Sequence, residues 1–381
     1  MNNLSDLDLK NKRLLIRADM NVPIQNGTVK DNTRILASLP TIEMCLEAGA
    51  KVLLISHLGR PIEGNPEKIF SLQPVAEALS KIINEPVELV SEISSSKLFN
   101  SSSKIQMLEN IRFFKGEKAN SELLGKQLAD LCDIYVFDAF GTSHREQAST
   151  HSAITQSNQA CSGLLLNKEI EALTKALNNY KRPYTAVIGG AKVSTKLELI
   201  TNISKKADHI IVGGGIANTF IKAAGYEIGQ SLYEESMIDL AKRILDDGKI
   251  ILPDILITSL TFEGEAVKEK NIKEVAENEM ILDQLLTPAM QDVIALSNTI
   301  LWNGPLGVFE NQLFEIGTKE LSKAIAKSSA FSLAGGGETI SAINKFIDPD
   351  DVSYCSTGGG AFLEFMEGKE LPSLQALRSK N

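Results

Sequence analysis

The chain has 381 residues, a net charge of −9, 43% hydrophobic residues and 23% charged residues, a composition that excludes a disordered protein. Its length favours two domains over one. The negative charge argues against nucleic acid as the main partner, since phosphate backbones are bound by basic surfaces. No apolar run is long enough to span a membrane, and the polar start lacks the apolar core of a signal peptide. We therefore expect a soluble, cytoplasmic protein that binds neither a membrane nor nucleic acid.

The cysteines and histidines do not form a metal-binding pattern. The chain contains four cysteines that lie far apart without a CxxC pair, and only four histidines. We expect no zinc site and four buried, reduced thiols: Cys45, Cys132, Cys161 and Cys355.

Short apolar runs alternate with amphipathic stretches along the whole chain. In chain order, the predicted strands are Arg13–Arg17, Lys51–Ile55, Ile105–Leu108, Ile134–Phe137, Thr185–Ile188, His209–Val212, Thr299–Trp302 and Phe331–Ala334. The clearest predicted helices are Thr33–Glu47, Pro74–Ile83, Glu169–Leu177 and Ile238–Leu245. This alternation is typical of βαβ units, in which a parallel sheet is covered on both faces. The Ser-rich stretch Ser91–Ser103 predicts a surface loop with a short helix at most.

The two halves of the chain differ in their arginine and glycine content. Six of the nine arginines but only eight of the 27 glycines occur up to Gly163. Arginine recognises phosphate and carboxylate through two parallel hydrogen bonds, whereas glycine lets backbone amides approach a nucleotide's phosphates. The difference predicts a division of labour between two domains. The segment Lys168–Asn178 is predicted to be a helix, either an ordinary covering helix or a link between the domains.

Arginines recur in the first half just after predicted strands, where open α/β sheets bind their ligands. They are Arg17, Arg60, Arg112 and Arg145. A fifth, Arg34, falls in the first turn of a predicted helix, where the helix dipole disfavours a cation unless an anion binds there. Any one of them alone fits a surface ion pair. Five from separate segments predict a polyanion site, to which His57 and His144 would donate hydrogen bonds.

Two polar residues follow the first strand. Asp19 and Asn21 either bind a substrate hydroxyl or cap a turn.

Glycine clusters recur in the second half where a strand ends and a helix begins. They are Gly189-Gly190, Gly213-Gly214-Gly215, Gly335-Gly336-Gly337 and Gly358-Gly359-Gly360. Four such junctions predict phosphate binding at helix N-termini. None is a Walker A loop and none completes a dinucleotide fingerprint, which argues against a P-loop NTPase and a nicotinamide-dependent dehydrogenase.

Two lysines and one acid stand close to these glycines. A helix that starts just after Gly190 would place Lys192 and Lys196 on one face, and we prefer it to a later start capped by Thr195. Glu338 is either an acid favoured by a helix dipole or a ligand for the Mg²⁺ that accompanies a nucleotide.

The motifs together resemble those of phosphoglycerate kinases along nearly the whole chain. The matching segments include IRADMNVP (16–23), DNTRI (31–35), SHLGRP (56–61), ENIRF (109–113), DAFGTSHR (138–145), GGAKVS (189–194), WNGPLGVFE (302–310), GGGET (335–339) and STGGGA (356–361).

The resemblance implies reversible transfer of the acyl phosphate of 1,3-bisphosphoglycerate to Mg·ADP, which gives 3-phosphoglycerate and ATP. It implies an α/β fold with two doubly wound, Rossmann-like parallel-sheet domains joined by an interdomain helix and hinge. The phosphoglycerate domain would comprise residues 1–164 with the tail 365–381, and the nucleotide domain residues 165–364. It also implies a monomer whose domains close during direct in-line transfer.

The resemblance also assigns roles by motif. The substrate would be held by Asp19, Met20, Asn21, Arg34, His57, Leu58, Gly59, Arg60, Arg112 and Arg145. The nucleotide would be held by Lys196, Glu310, Gly336, Gly337, Glu338 and Thr339, with Glu338 also binding the metal. Arg34 and Lys192 are the candidates to grip the transferring group. The acceptor is a carboxylate that is already ionised at neutral pH, so no general base is expected.

The chain departs from the family pattern at two places. The family usually has Asp where Glu338 stands, which puts direct metal ligation in doubt and leaves room for a non-catalytic nucleotide sensor. The usual glycine after Leu-Asp-Ile is replaced near Leu282-Asp283 by Gln284-Leu285, which puts the local loop in doubt.

Overall fold

The computed structural model describes residues 1–380, which form two compact units. The first unit comprises Met1–Glu171 together with the C-terminal segment that begins at Glu370, and the second comprises Ala172–Lys369. No helix within residues 1–380 is both long and apolar enough to cross a membrane.

The first unit is built on a six-stranded, all-parallel sheet. The unit contains eight strands in all: β1 (Arg13–Ala18), β2 (Ile24–Gln25), β3 (Thr28–Val29), β4 (Lys51–Ile55), β5 (Val87–Val90), β6 (Ile105–Leu108), β7 (Ile134–Asp138) and β8 (Ala160–Ser162). The helices are α1 (Thr33–Glu47), α2 (Gln73–Ile83), α3 (Glu122–Asp130), α4 (Ala153–Gln156) and α5 (Leu164–Leu177). The sheet order is β5-β6-β4-β1-β7-β8, and β2 and β3 form a separate hairpin.

The order of the first sheet places the strands that precede the predicted site side by side. The neighbours β6, β4, β1 and β7 pair in parallel register, for example Ile16 with both Leu54 and Val136. These strands are buried along nearly their whole length, which is why their sequences are continuous apolar runs instead of alternating ones. Parallel pairing places their carboxyl ends at one edge of the sheet.

The second unit repeats this plan with a second six-stranded parallel sheet. The unit contains nine strands in all: β9 (Tyr184–Gly189), β10 (His209–Gly213), β11 (Ile250–Ile251), β12 (Ile255–Ser259), β13 (Lys268–Asn271), β14 (Met280–Gln284), β15 (Thr299–Asn303), β16 (Phe331–Ala334) and β17 (Tyr354–Cys355). The helices are α6 (Leu197–Ser204), α7 (Gly214–Ala223), α8 (Ile238–Asp246), α9 (Pro288–Leu296), α10 (Ile316–Lys327), α11 (Gly337–Phe346) and α12 (Gly360–Met366). The parallel sheet runs β11-β10-β9-β15-β16-β17, and β13-β12-β14 form a small antiparallel sheet.

The C-terminal helix α13 (Pro372–Arg378) belongs to the first unit. The backbone N–H of Ser373, at its start, donates to the carbonyl of Ser143 at 3.1 Å. The end of the chain is thereby tied to the loop that follows β7.

The predicted α/β architecture with two doubly wound sheets is confirmed, and all eight predicted strands are present. Helix α5 begins at Leu164, earlier than the predicted Lys168, and the division between the two units falls within it. Ser91–Ser103 contains turns and no helix. The cysteines are free thiols, three of them buried and Cys355 partly exposed.

Candidate active site

The predicted basic residues of the first unit gather at the carboxyl edge of its sheet. His57 follows β4, Arg112 follows β6 and Arg145 follows β7, and these strands flank β1 or each other in the sheet. Burial and then the positive charges of Arg17, Arg112, Arg145 and Arg34 lower the pKa of His57, so all four arginines lie close enough to act on its ring. The structure therefore brings together side chains from positions as far apart as Arg17 and Arg145, as the strand-end argument predicts.

Arg34 is oriented by a carboxylate that follows β1. Its Nη1 atom donates to Oδ2 of Asp19 at 2.6 Å, and the other oxygen of Asp19 accepts the backbone N–H of Asn21 at 3.2 Å. Asn21 in turn accepts the backbone N–H of Gly59 at 2.9 Å through its side-chain oxygen. Asp19 and Asn21 thus organise the loops after β1 and β4, and 37% of the Arg34 side chain stays accessible to a ligand.

Met20 and Leu58 contribute to these loops through their backbones and not through their side chains. Both side chains are buried in the core, the Met20 N–H donates to the hydroxyl of Ser56 at 2.9 Å, and the Leu58 carbonyl accepts from Asn110 at 2.7 Å. Gly59 has a φ of +60°, and a Cβ there would meet the Phe70 ring at 2.5 Å, so the turn requires glycine.

His57 is a neutral hydrogen-bond donor rather than a cation. It is 4% exposed, and burial, followed by the charges of Arg17 and its neighbours, lowers its pKa well below the ordinary value. Its Nδ1 atom lies 3.3 Å from Nη2 of Arg17. Because a guanidinium only donates, Nδ1 must be the acceptor and the ring proton resides on Nε2.

Arg17 differs from the other strand-end arginines because it is buried. It is only 1% exposed, and its guanidinium contacts the His57 ring. Its Nε donates to Oγ of Ser149 at 3.1 Å, and that hydroxyl donates to the buried carboxylate of Glu117 at 2.6 Å. The only sequence signal for burial is that Arg17 lies inside an uninterrupted apolar strand; nothing in the sequence pairs it with Glu117.

The remaining arginines repel one another, as expected for a site that takes a polyanion. Burial lowers the pKa of Arg112 to about 10, with further contributions from the charges of Arg145 and Arg17. The pKa of Arg145 is also lowered, first by burial. Arg112 donates to the Gly59 carbonyl at 2.6 Å, while its Nε is buried and unpartnered among the described residues. Arg60 is exposed. An anion with several oxygens would relieve this repulsion.

In the second unit the loop after β9 differs from the prediction. Helix α6 begins at Leu197, so the preferred early start after Gly190 is wrong. Lys192 and Lys196 therefore do not share a helix face: Lys192 is exposed, and Lys196 turns inward. The Lys196 Nζ donates to the carbonyls of Gly189 at 2.5 Å and of Asn303 at 3.0 Å. These two carbonyls lie at the ends of β9 and β15. Nothing in the sequence indicates that Lys196 contacts them.

Backbone segments at the ends of β9, β15 and β16 pack too tightly for side chains. A Cβ on Gly189 would lie 1.9 Å from the Pro305 carbonyl oxygen, and one on Gly304 would lie 2.2 Å from the Gly189 oxygen. Thr339 links two of the segments, because its hydroxyl accepts the Gly304 N–H at 2.8 Å and donates to the Gly335 carbonyl at 2.9 Å. We call these closely packed segments at the ends of β9, β15 and β16 the backbone frame, and the Thr339 side chain is part of it.

Helix α11 offers free backbone donors beside this frame. Its first intrahelical acceptor is Gly336, which receives the N–H of Ile340 at 3.1 Å. The preceding amides, those of Gly337, Glu338 and Thr339, have no partner within the helix. A helix N-terminus with such amides binds phosphate. The buried Oδ1 of Asn303, which has no partner among the described residues, lies at the same point, since its Nδ2 donates to Gly335 at 2.7 Å.

The residues present fit a magnesium ion that arrives with the nucleotide. Glu338 is exposed in the first turn of α11, and its charge acts on Lys196. Within residues 1–380 no group of three or more His, Cys, Asp and Glu side chains forms a metal cage. Mg²⁺ in phosphotransfer sites is held by one or two carboxylates together with the substrate phosphates, which is a donor set that Glu338 can complete. Glu310 is also exposed, at the end of the loop after β15.

Comparison with known proteins agrees with this geometry. The family model described as phosphoglycerate kinase matches residues 4–369. A phosphoglycerate kinase of Vibrio campbellii (strain ATCC BAA-1116) is 50% identical over 380 residues, which cover 99% of this chain and 98% of that protein. The solved structure of the phosphoglycerate kinase of Coxiella burnetii superposes with a TM-score of 0.92 at 45% identity and covers 99% of both chains.

A more distant structure shows the same architecture. The phosphoglycerate kinase of Pyrococcus horikoshii OT3 has a TM-score of 0.84 at 33% identity, with 100% of each chain covered. The chain therefore belongs to the phosphoglycerate kinase family, the glycolytic phosphotransferases that interconvert 1,3-bisphosphoglycerate and ADP with 3-phosphoglycerate and ATP.

Proposed function

We propose that the phosphoryl group passes directly, in line, between the carboxylate of 3-phosphoglycerate and ATP when the two domains close. The observation that carries this proposal is the convergence of His57 and the arginines at the carboxyl edge of the first sheet. A ring of cations there suits a substrate with a phosphate at one end and a carboxylate at the other. The acceptor carboxylate is already ionised near neutral pH, so the enzyme needs no general base.

The phosphoglycerate domain holds the substrate. We take its limits as residues 1–164 with the tail 365–381, whereas the compact unit in the structure comprises Met1–Glu171 and the segment from Glu370. Asp19, Asn21 and Arg34 bind the glycerate end, and the loop backbone of Met20, Leu58 and Gly59 supports them. The remote phosphate is bound by His57, Arg60, Arg112 and Arg145. The neutral His57 contributes a hydrogen bond from Nε2, and the arginines contribute charge.

The nucleotide domain, residues 165–364, holds Mg·ATP or Mg·ADP. The amides of Gly336, Gly337, Glu338 and Thr339 bind its phosphates at the start of α11, Lys196 adds a positive charge, and Glu310 binds the ribose hydroxyls. Glu338 supplies a carboxylate to the metal. When bound, Mg²⁺ neutralises charge on the phosphate oxygens.

Catalysis then consists of positioning and charge neutralisation. Arg34 from one domain and Lys192 from the other grip the transferring group. Closure also excludes water, which would otherwise hydrolyse the acyl phosphate. We propose that the enzyme acts as a monomer, as the family resemblance implies, and in the cytoplasm.

The test is the rate of ATP-dependent turnover of 3-phosphoglycerate in Arg34→Ala, with the product consumed by an NADH-dependent dehydrogenase. We expect kcat to fall on the order of 10³-fold, as for other arginines that neutralise a transferring phosphoryl group. Arg13→Ala is the matched control: Arg13 pairs with Asp133 on the surface at the start of β1 and should leave kcat unchanged. A loss below about tenfold in Arg34→Ala would remove Arg34 from the transfer step.

A further inference from the structure

The loop between β9 and α6 carries Lys192 without regular secondary structure. Residues 190–196 form turns and bends, and the Lys192 side chain is exposed. The hydroxyl of Thr195 donates to the Lys192 carbonyl at 2.7 Å, and the side chain of Val193 is fully buried. A long, exposed lysine needs a fixed backbone if it is to meet a substrate with a defined geometry.

One carboxylate holds the residue that follows Val193 in this loop. The Oε2 atom of Glu234 accepts the backbone N–H of Ser194 at 2.7 Å, and Oε1 accepts the Ser194 hydroxyl at 2.5 Å. Burial raises the pKa of Glu234, but the hydrogen bonds from Ser194 and the charge of Lys192 outweigh that effect and the pKa is lowered overall. Glu234 is therefore ionised at neutral pH, with both oxygens engaged by the loop.

Glu234 is itself fixed by helix α7. Its backbone N–H donates to Oγ1 of Thr219 at 3.1 Å, and the buried Thr219 hydroxyl donates to the Gly215 carbonyl at 2.9 Å. The other end of the loop is fixed by the same helix, since Ile216 donates its N–H to the Gly190 carbonyl at 3.1 Å. Helix α7 thus holds the loop directly at Gly190, from Ile216, and at Ser194 through Thr219 and Glu234.

We propose that Glu234 is a positioning residue for phosphoryl transfer, which orients Lys192 by clamping Ser194. The proposal rests on the role given above to Lys192. Glu234 does not bind substrate, because a carboxylate would repel phosphate and both of its oxygens are already occupied by Ser194. Its contribution is therefore to the rate of transfer and not to the binding of either substrate.

The test compares Glu234→Ala with Glu235→Ala in steady-state turnover. Glu235 is the adjacent exposed acid, and its side chain makes no hydrogen bond or ion pair with the described residues, so both variants lose one carboxylate from neighbouring positions. We expect Glu234→Ala to lower kcat about 10- to 100-fold, the cost of a misplacement of about 1 Å, with both KM values within about twofold. Glu235→Ala should match the unmodified enzyme. Ser194→Ala, which keeps the bond from the backbone N–H, should fall between them.

A double-mutant cycle with Lys192→Met separates positioning from a general structural role. If Glu234 acts through Lys192, Glu234→Ala will have no further effect on kcat once Lys192 is replaced. Equal kcat in Glu234→Ala and Glu235→Ala, or fully additive losses in the double variant, would overturn the positioning role. If Lys192→Met alone retains its kcat, the proposed grip by Lys192 fails, and that result is visible without the Glu234 variants.

Discussion

The two units share one sheet architecture but present opposite kinds of binding surface. In the first unit the site consists of side chains: His57, Arg112 and Arg145 project from the ends of neighbouring strands. In the second unit it consists mostly of backbone: the amides at the start of α11 and the glycine segments around Gly189 and Gly304, where no Cβ fits. Both sites lie where α/β sheets bind their ligands.

The difference shows how one architecture binds two kinds of polyanion. A small, flexible anion with few groups is recognised by converging guanidinium forks, each of which satisfies two oxygens. A nucleotide phosphate chain is recognised by a row of amides that approach closely because glycine leaves room. Side-chain replacements should therefore be most harmful in the first unit. In the second unit the one lysine that enters the backbone frame should matter most.

Replacing that lysine should give the largest effect on the nucleotide side. Lys196→Met removes the ammonium that bridges Gly189 and Asn303, and we expect Mg·ADP to bind about 100-fold more weakly, the upper range for a hydrogen bond to a charged group. Isothermal titration calorimetry measures the change. Lys205→Met, at the exposed end of α6, is the control. Unchanged 3-phosphoglycerate binding in this variant would show that the first unit is intact. An unchanged Kd for Mg·ADP would mean that Lys196 does not contact the nucleotide.

His57 tests whether the arginine site depends on charge alone. Because His57 is neutral and donates through Nε2, His57→Ala should raise the KM for 3-phosphoglycerate about tenfold, the cost of losing a hydrogen bond to a charged ligand. His57→Gln, which keeps a donor, should stay within about threefold. Equal losses in both variants would mean that the imidazole is required for more than its hydrogen bond.

The pH dependence should differ between the two sites. Burial lowers the pKa of Lys196 to about 8, while Glu338 acts in the opposite direction. Only the protonated lysine attracts phosphate, so nucleotide affinity should be full below pH 8 and fall as the pH rises through 8. Because burial lowers the pKa of His57 well below its ordinary value, His57 stays neutral over this range and should add no pH dependence to phosphoglycerate binding. Calorimetry between pH 7 and 9 measures both; a nucleotide slope that persists in Lys196→Met would assign the titration elsewhere.

The smallest expected effect concerns the metal side of the second unit. Glu338→Asp shortens the carboxylate by one methylene and should keep kcat within about threefold, because Mg²⁺ retains its phosphate and water ligands. The Mg²⁺ concentration that gives maximal activity should shift. A Mg²⁺ dependence identical to that of the unmodified enzyme would mean that Glu338 does not bind the metal and only interacts favourably with the dipole of α11.

The sequence predicts the sheets and the strand-end arginines because both follow from local signals. Buried parallel strands require continuous apolar runs, and parallel strands put their carboxyl ends together. The errors lie where long-range contacts decide. Helix α6 begins only at Leu197, after Lys196, whose ammonium contacts the carbonyls of Gly189 and Asn303. Arg17 is buried against Ser149, which in turn contacts Glu117, and both come from distant parts of the chain.

The most direct test of the division of labour is a crossed calorimetric titration of Arg145→Ala and Lys196→Met with 3-phosphoglycerate and with Mg·ADP. We predict that Arg145→Ala weakens phosphoglycerate binding at least about tenfold and leaves Mg·ADP within about twofold, while Lys196→Met does the reverse. If a folded variant lost both ligands, or lost the ligand assigned to the other unit, the assignment of one substrate to each unit would be wrong.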